Sequence, residues 1–315
     1  MSDLLIELFI FLGSALTLWW GTGLVVGAVS SLSKSLNIST FTISFFILGL
    51  MTSLPELSIG ATAVSRGEAP IAIGNLIGAT LVIFLLIIPL LGVLGHSVAL
   101  PKTLHRPQLA LALSTILAPA LLIADRSIHA WEGFLLVALY IVLFIALSRR
   151  ESLYEKILER ISGANERSKH RFLKILVGLG AILVASTYMV NSAEFFAYTF
   201  NWSPFVVGLV IVALGTNIPE LSLVLRSVIS GKSDIALADY IGSAAANSLL
   251  IGVFAIITQG GIQLPNQALV RIIILVSTLV LFYIFIRSEK KLTQKESFIL
   301  LLIYVIFVVI EIGQV

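Results

Sequence analysis

The sequence predicts a polytopic α-helical membrane protein built from two inverted repeats of five helices each. Three observations lead to this fold class. The chain has 315 residues, of which 58% are hydrophobic and only 12% are charged, about half the charged share of a soluble domain. Ten apolar stretches approach the roughly 20 residues that a bilayer span requires. A motif of the first half also returns in the second half at a constant offset of 164 residues.

The composition excludes several classes of protein. A mean hydropathy of +1.06 excludes an ordinary soluble enzyme and a disordered chain. The net charge is only +3, and the basic residues form no patch with interleaved aromatics, which argues against nucleic-acid binding. The chain has no cysteine and four scattered histidines, so thiol chemistry, disulfides and a transition-metal site are not expected. The N-terminal stretch MSDLLIELFIFLG has no basic region or cleavage site and is interpreted as the start of the first helix.

Hydropathy places ten helices along the chain. They are predicted at 4–30, 39–64, 69–95, 107–124, 128–148, 172–197, 203–229, 234–259, 268–287 and 296–314. We therefore expect a first repeat over 1–148, a polar linker over 149–171 and a second repeat over 172–315. Of the 20 Lys and Arg residues, 17 fall on one side of this arrangement, and only Arg66, Arg126 and Arg271 fall on the other. The positive-inside rule then predicts that both termini face outward.

The internal repeat is specific. TSLPELS at 52–58 matches TNIPELS at 216–222, and Gly67 and Gly78 align with Gly231 and Gly242 without a gap. Five helices per repeat is an odd number, so the two repeats enter the membrane from opposite sides. Inverted repeats with interrupted helices and a site near the midplane are typical of secondary transporters.

Glu56 and Glu220 lie inside otherwise apolar helices, at equivalent positions of the two repeats. A charge at the bilayer centre costs at least ~2.5–3.5 kcal/mol, so such residues usually face a cavity and serve a function. Pro55 and Pro219 precede them, and a proline inside a helix removes one backbone hydrogen bond. Carbonyls freed at membrane depth line a cavity or bind a ligand. The resulting oxygen set suits hard cations such as Ca²⁺, and also Na⁺.

A second polar stripe is predicted on the eighth helix. Asp239, Ser243 and Asn247 are spaced by four residues and therefore share one face. The equivalent positions on the third helix are Asn75, Ala79 and Ile83. The polar stripe is thus complete in the second repeat and truncated in the first.

These motifs resemble the two α-repeats of the sodium/calcium exchanger family, within the cation/calcium antiporter superfamily. The first part of the family motif stands here as MTSLPE (51–56) and GTNIPE (215–220), and the second as GNLIGATLVI (74–83) and ADYIGSAAAN (238–247). The stretch at 21–39 is similar to the family's leader into the repeat. The resemblance covers about half of the chain.

The resemblance implies a secondary antiporter that exchanges Ca²⁺ for Na⁺ by alternating access. It assigns the central Ca²⁺ site and its neighbouring Na⁺ sites to the two glutamates. The flanking ligands would be hydroxyl, amide and backbone oxygens. The full set implied is Glu56, Glu220, Thr52, Thr216, Ser53, Asn217, Gly49 and Ala213 (through their carbonyls), Ser243 and Asn247.

The chain departs from the family pattern at the third helix, where Ala79 and Ile83 cannot ligate an ion. Asn217 also replaces a serine. Two alternatives therefore stay open. Protons could be the coupling ion, since close carboxylates can share a proton. The chain could also be a non-transporting membrane sensor or scaffold that has kept the fold.

The remaining expectations concern surroundings and partners. No nucleophile–base pair supports an enzyme, and no organic cofactor is expected beside the transported Ca²⁺ and Na⁺. The partners are the cations and membrane lipid, with no nucleic acid, and a monomer suffices. The compact chain fits a prokaryotic-type exchanger spanning the inner or plasma membrane several times.

Overall fold

The computed structural model describes residues 2–33, 45–46, 49–101, 104–148, 167–229, 233–265 and 268–313. The helices of the first half are α1 (Ser2–Ser33), α2 (Gly49–Thr52), α3 (Leu54–Ser65), α4 (Ala69–Val82), α5 (Ile88–Leu94), α6 (Arg106–Leu122) and α7 (Ala130–Ser148). Those of the second half are α8 (Arg167–Phe200), α9 (Pro204–Val207), α10 (Ala213–Thr216), α11 (Ile218–Ile229), α12 (Ser233–Ile257), α13 (Ala268–Glu289) and α14 (Gln294–Gly313). The predicted linker at 149–171 falls outside the described residues up to position 166.

In the part of the chain that the structure describes, these helices form ten consecutive helical segments, as the sequence predicts. A π-helical turn at Ile83–Ile87 joins α4 to α5, and another at Gly208–Val212 joins α9 to α10. Within the part of the chain described, seven helices are long and apolar enough to cross a membrane unbroken. The other three segments are α2–α3, α9–α11 and α14. The two segments that are broken carry the PE motifs.

The ten segments divide into a buried core and an outer layer. In the most apolar 18-residue stretch of each span, 83% is buried in Ala69–Leu94 and 78% in Ala236–Ile257, whereas only 28% is buried in Asp3–Val25. The outer helices expose many large apolar side chains, such as Phe9 and Phe134, which is the surface a bilayer would cover. The α4–α5 segment and α12 are therefore the centre of the protein.

Two short antiparallel strand pairs show that the halves are related by symmetry. Strand β1 (Ser97–Ala99) pairs with β4 (Lys291–Thr293), and β2 (Ser127–Ile128) pairs with β3 (Ile262–Gln263). Each residue pair of the shorter ladder maps onto a pair of the longer one by the same 164-residue offset. Each ladder joins one strand from each half. The offset found in the sequence is thus a structural relation between the two repeats.

The first helices of the two repeats run antiparallel against each other. Phe11 of α1 lies edge-on to Phe196 of α8, with ring centroids 5.9 Å apart. Further along α1, Gly21 packs against Gly178, which comes earlier in α8. As the residue number increases along α1, the residue number of the contacting position on α8 decreases, so the two helices are antiparallel. This opposite direction is what inverted repeats require, and it confirms the predicted fold class.

Close glycine contacts hold the core helices together, and these contacts also obey the repeat. A Cβ added at Gly78 of α4 would lie 2.0 Å from the carbonyl oxygen of Leu209, and one added at Gly242 of α12 would lie 1.9 Å from that of Phe45. The two contacts are equivalent, because the 164-residue offset relates Gly78 to Gly242 and Phe45 to Leu209. Only glycine permits these backbones to approach so closely.

Candidate cation site

Both PE-containing helices are interrupted at equivalent residues. Helix α2 ends at Thr52 and α3 begins at Leu54, so Ser53 stands at the break. In the second repeat α10 ends at Thr216 and α11 begins at Ile218, with Asn217 between them. Each break lies two residues before the proline, because proline cannot donate the backbone hydrogen bond that would continue the helix.

The same hydrogen-bond pattern surrounds the two breaks. The Gly49 carbonyl accepts from the Thr52 hydroxyl at 3.2 Å and from the Ser53 hydroxyl at 3.0 Å. The Ala213 carbonyl accepts from the Thr216 hydroxyl at 3.2 Å and from the Asn217 amide at 2.8 Å. A hydroxyl has a single proton, so donating it to a carbonyl leaves oxygen lone pairs for a cation. Both breaks therefore present acceptor oxygens.

Glu56 and Glu220 are buried beside these breaks, with 2% and 1% of their surface exposed. One carboxylate oxygen of each has no hydrogen-bond partner. The Tyr240 hydroxyl donates to the Glu220 backbone carbonyl at 3.2 Å and fixes α11 to α12. A buried carboxylate without a partner is costly, so both glutamates are candidates for a functional role.

The polar stripe of α12 faces the first repeat's break. The Ser243 hydroxyl lies 3.1 Å from the Ser53 hydroxyl. Asn247, one turn further along, donates from its amide to the Thr80 hydroxyl of α4 at 3.4 Å. The amide oxygen of Asn247 has no partner and is buried. The structure thus brings both predicted residues of this stripe into contact with the first repeat.

On α4 the stripe lacks polar side chains at two of its three positions, as the sequence indicated. Ala79 and Ile83 are fully buried apolar residues. Asn75 is the polar exception, and its amide oxygen lies 3.4 Å from the Thr216 hydroxyl, an alternative acceptor to the Ala213 carbonyl at 3.2 Å. The predicted ligand set omits Asn75, Asp239 and Thr80. The spacing of four indicates the first two, but Thr80 lies one residue away from the stripe and only the fold places it opposite Asn247.

The candidate site contains too few acidic residues to surround a metal ion with carboxylates alone. In the described portion of the chain, no group of three or more His, Cys, Asp or Glu residues is placed to hold a metal ion. A cation between the two glutamates must therefore complete its shell with hydroxyl, amide and carbonyl oxygens. Hard cations such as Ca²⁺ and Na⁺ accept that shell readily.

Two further ion pairs lie away from the glutamates. Arg271 of α13 donates to Glu311 of α14 at 2.9 Å, and both side chains are buried. Arg66, just beyond α3, pairs with Glu194 of α8 at 3.5 Å and also contacts Asn191. The first pair joins two outer helices. The second pair joins the core to the α1–α8 layer.

The fold and the site together define a class of protein. Inverted five-helix repeats, helices broken at membrane depth and buried carboxylates at the breaks are the features of a multi-pass secondary transporter for cations.

Comparison with known proteins then gives the family. The family model described as "Sodium/calcium exchanger protein" matches residues 6–148 and 170–313. The chain therefore belongs to the sodium/calcium exchanger family. It is 29% identical to "Putative antiporter CaxA" of Alkalimonas amylolytica, covering 96% of this chain and 97% of that protein. It is 24% identical to "Sodium/calcium exchanger MaX1" of Methanosarcina acetivorans, covering 92% and 94%. Among solved structures, the sodium-calcium exchanger NCX_Mj has the same fold, with a TM-score of 0.69 at 22% identity over 97% of this chain and 99% of that one.

Proposed function

We propose that this protein is a secondary active antiporter that exchanges Ca²⁺ for Na⁺ across the membrane. The observation that carries the proposal is the pair Glu56 and Glu220, which lie buried at symmetric helix breaks, each with an unpartnered carboxylate oxygen. The two carboxylates neutralise one Ca²⁺, and two or three monovalent ions replace it on the return step. Membership in an exchanger family supports transport rather than an enzymatic reaction.

The ligand shell proposed for the cations uses oxygens from both repeats. The carboxylates hold the divalent ion, and the hydroxyls of Thr52, Ser53 and Thr216 contribute to the shell. The other members of the proposed shell are Asn217, Ser243, Asn247 and the backbone carbonyls of Gly49 and Ala213. Their burial and hydrogen bonds at the two breaks support this assignment.

The division of the fold into two parts supports the proposed alternating access. Helices α1 and α8 pack antiparallel outside the core, and the broken helices lie between them and α12. The proposed motion slides the α1–α8 layer against the core, so that the site opens to one side at a time. The 2.7 Å contact between the hydroxyls of Ser58 and Ser186 lies across this interface. A hydrogen bond between membrane helices contributes only about 0.6 kcal/mol on average, so this contact opposes the proposed sliding weakly.

The proposal includes the orientation of the chain in the membrane and the membrane that it spans. The excess of Lys and Arg on one side supports a cytoplasmic linker at 149–171 and termini that face outward. An inner or plasma membrane with an inward gradient of the coupling ion would then drive Ca²⁺ outward. A single chain contains both glutamates, so a monomer is sufficient.

One observation favours a second candidate in which protons are the coupling ion. Ala79 and Ile83 occupy the first repeat's ligand positions and offer no oxygen, so fewer Na⁺ ions can be held. Two carboxylates that act on each other can instead carry a proton on the return step. This candidate keeps the same Ca²⁺ site and changes only the driving ion.

Uptake of ⁴⁵Ca²⁺ into proteoliposomes distinguishes the candidates. Vesicles loaded with Na⁺ are compared with vesicles loaded with choline, and with choline vesicles under an imposed pH gradient. Uptake that requires internal Na⁺ supports Na⁺/Ca²⁺ exchange, and uptake driven by the pH gradient alone supports proton coupling. Absence of uptake under all three conditions argues for a non-transporting protein. The Glu56→Gln variant is the negative control, and Asp125→Asn, which changes an exposed carboxylate outside the site, is its matched control.

A further inference from the structure

A polar contact joins the core to the α1–α8 layer at the end of α3. Arg66 directly follows α3, and its backbone N–H donates to the Ala63 carbonyl at 3.1 Å, so it is fixed to the helix that carries Glu56. Its guanidinium lies 3.5 Å from the Glu194 carboxylate of α8 and also donates to the side-chain oxygen of Asn191. Asn191 and Glu194 are three residues apart and therefore lie on the same face of α8.

A second contact joins the same two helices nearer to the glutamates. The Ser58 hydroxyl of α3 lies 2.7 Å from the Ser186 hydroxyl of α8. Each of these serines stands eight residues before its partner in the Arg66–Glu194 pair, which is a rise of about 12 Å along a helix. The helices α3 and α8 thus run in the same direction and touch at two levels. Sliding α8 along α3 by one turn breaks both contacts together.

The equivalent hydroxyl of the other half makes no such contact. The 164-residue offset relates Ser186 of α8 to Thr22 of α1. Thr22 is 2% exposed, and its hydroxyl has no hydrogen-bond partner. A buried hydroxyl without a partner is unfavourable. The structure is therefore an asymmetric state, in which the layer has formed the polar contact on the α8 side and not on the α1 side.

The layer also covers the second helix break from the end of the molecule where Arg66 lies. A Cβ added at Gly215, beside Thr216, would lie 2.9 Å from the Phe11 ring of α1 and 3.2 Å from the Cε atom of Met189 of α8. Met189 is fully buried and lies further along α8 than Ser186, toward the Arg66 end. The proposed cation shell is thus closed at this end by side chains of the layer.

The ion pair has no counterpart at the opposite end of the molecule. By the 164-residue offset, the positions equivalent to Arg66, Asn191 and Glu194 are Ser230, Gly27 and Ser30. None of these residues carries a charge. An interaction that exists in only one of two states shifts the equilibrium toward that state. The charged contact at the end of α3 therefore acts on one direction of the proposed sliding.

We propose that Arg66 is a positioning residue for transport, which forms a latch with Glu194 and Asn191 and stabilises the state closed at the end of α3. This inference rests on the proposed exchange function, because it concerns the sliding of the α1–α8 layer, and it adds an energetic difference between the two states. The predicted orientation places Arg66 on the outer side of the membrane. The latch then keeps the site closed toward the outside until it breaks.

Single reporter cysteines can measure which end is open, because the chain has no cysteine of its own. Val25 of α1 and Met189 of α8 are equivalent by the 164-residue offset, and both are buried. Val25→Cys and Met189→Cys, each in the full chain, are reacted with a membrane-impermeant thiol reagent in membrane fragments that expose both faces. The rate at Met189→Cys reports opening at the Arg66 end, and the rate at Val25→Cys reports opening at the other end.

Adding Arg66→Gln should raise the labelling rate of Met189→Cys about twofold to fivefold, the range expected for an exposed ion pair. The rate of Val25→Cys should stay the same or fall, because one state gains population at the expense of the other. A rise at both reporters would indicate general loosening of the fold and would overturn the proposal, as would an unchanged rate at Met189→Cys. Arg287→Gln, which changes an exposed arginine of α13, is the matched control and should alter neither rate.

Salt dependence and exchange of the two charges separate a latch from a merely structural role. The side chains of Arg66 and Glu194 are 32% and 39% exposed, so salt screens their attraction. Raising N-methylglucamine chloride from about 0.01 M to about 1 M should speed labelling of Met189→Cys, but not when Arg66→Gln is also present. Arg66→Glu with Glu194→Arg should return the rate toward its original value, since the Asn191 amide can donate as well as accept. A rate that ignores salt, or an exchanged pair that restores nothing, would contradict the latch.

A second variant keeps the test independent of any one substitution. Glu194→Gln should shift labelling of Met189→Cys in the same direction as Arg66→Gln, and the two together should shift it no further than Arg66→Gln alone. Additive effects would show that the two residues act separately and would overturn the proposal.

Labelling and transport fail independently. If Na⁺-driven ⁴⁵Ca²⁺ uptake by the wild type is absent while Arg66→Gln still shifts labelling, the exchange function is wrong and the latch stands. If uptake is present while Arg66→Gln leaves labelling of Met189→Cys unchanged, the latch is wrong and the exchange function stands.

Discussion

The polar stripes of α4 and α12 occupy equivalent positions, yet their chemistry differs. Asn75, Ala79 and Ile83 lie on α4, whereas Asp239, Ser243 and Asn247 lie on α12. The backbones around them are nearly exchangeable, because the glycine contacts and the strand ladders follow one offset. The comparison shows that the fold depends on the repeated glycines, while ion chemistry depends on a few side chains that are free to differ between the halves.

The largest predicted effect concerns the glutamates that the two halves share. Glu56→Gln and Glu220→Gln should each lower Na⁺-driven Ca²⁺ uptake by at least about 100-fold, which corresponds to about 2.7 kcal/mol. The reason is that each removes one of two charges facing the divalent ion. Initial ⁴⁵Ca²⁺ uptake rates measure this loss, with protein recovered in each vesicle preparation as the control. If one variant keeps wild-type uptake, the symmetric two-carboxylate site is wrong.

The helix breaks illustrate how much of this site the sequence could predict. The prolines and the PE motifs correctly predicted interrupted helices, and the repeat predicted that the two interruptions would be equivalent. The contact between Asn247 and Thr80 was not predictable, because it joins residues 167 positions apart on different helices. The strand ladders also escaped prediction, since strands of two or three residues carry no detectable period.

The partners of buried charged residues were also not predictable from the sequence. From the sequence alone, Arg271 lies in the predicted helix 268–287, on the side of the membrane that carries few basic residues. In the structure it is buried against Glu311, 40 residues away, because α13 and α14 fold back on each other. A sequence pattern reports which residues are charged, whereas a partner for a buried charge is determined only by tertiary packing.

The second prediction concerns an asymmetry in the outer layer. Arg271 pairs with Glu311 in the second repeat, while the first repeat has Pro107 and Leu147 at the equivalent positions. Arg271→Leu should lower the free energy of unfolding by about 3–5 kcal/mol, because it leaves a buried carboxylate unpaired. The double variant with Glu311→Leu should recover most of that loss. Denaturant unfolding in detergent measures both, and equal losses in the single and double variants would contradict the argument.

The third prediction tests whether the backbone symmetry is energetic as well as geometric. Gly78→Ala and Gly242→Ala should each destabilise the protein by about 1–3 kcal/mol, the usual cost of overpacking a tight contact. The two values should agree, because each added Cβ meets a carbonyl oxygen at about the same distance. Gly180→Ala is the control, since its Cβ has no neighbour within 4 Å. A large loss of stability in Gly78→Ala with none in Gly242→Ala would show that the two equivalent contacts do not contribute equally to stability.

The smallest predicted effect concerns the hydroxyl that only one stripe has. Ser243 lies 3.1 Å from Ser53 at the first break, but the equivalent pair in the other half is Ala79 and Asn217, which lacks a hydroxyl on α4. Ser243→Ala should raise the Na⁺ concentration for half-maximal Ca²⁺ uptake about fivefold, corresponding to about 1 kcal/mol for one hydrogen-bonding group. The same measurement on Ser248→Ala, a buried hydroxyl of α12 away from this contact, provides the control.

The last prediction tests whether the missing polar side chains of α4 limit the coupling of Ca²⁺ uptake to Na⁺. Ala79→Ser together with Ile83→Asn restores the polar groups that the second repeat has at Ser243 and Asn247. If these ligands determine coupling, the double variant should need less Na⁺ for the same uptake, by a factor similar to the loss in Ser243→Ala. An unchanged Na⁺ requirement would mean that the α12 side alone sets the coupling. The asymmetry between the stripes would then be a division of labour within the site, in which α12 holds the coupling ions and α4 provides only packing.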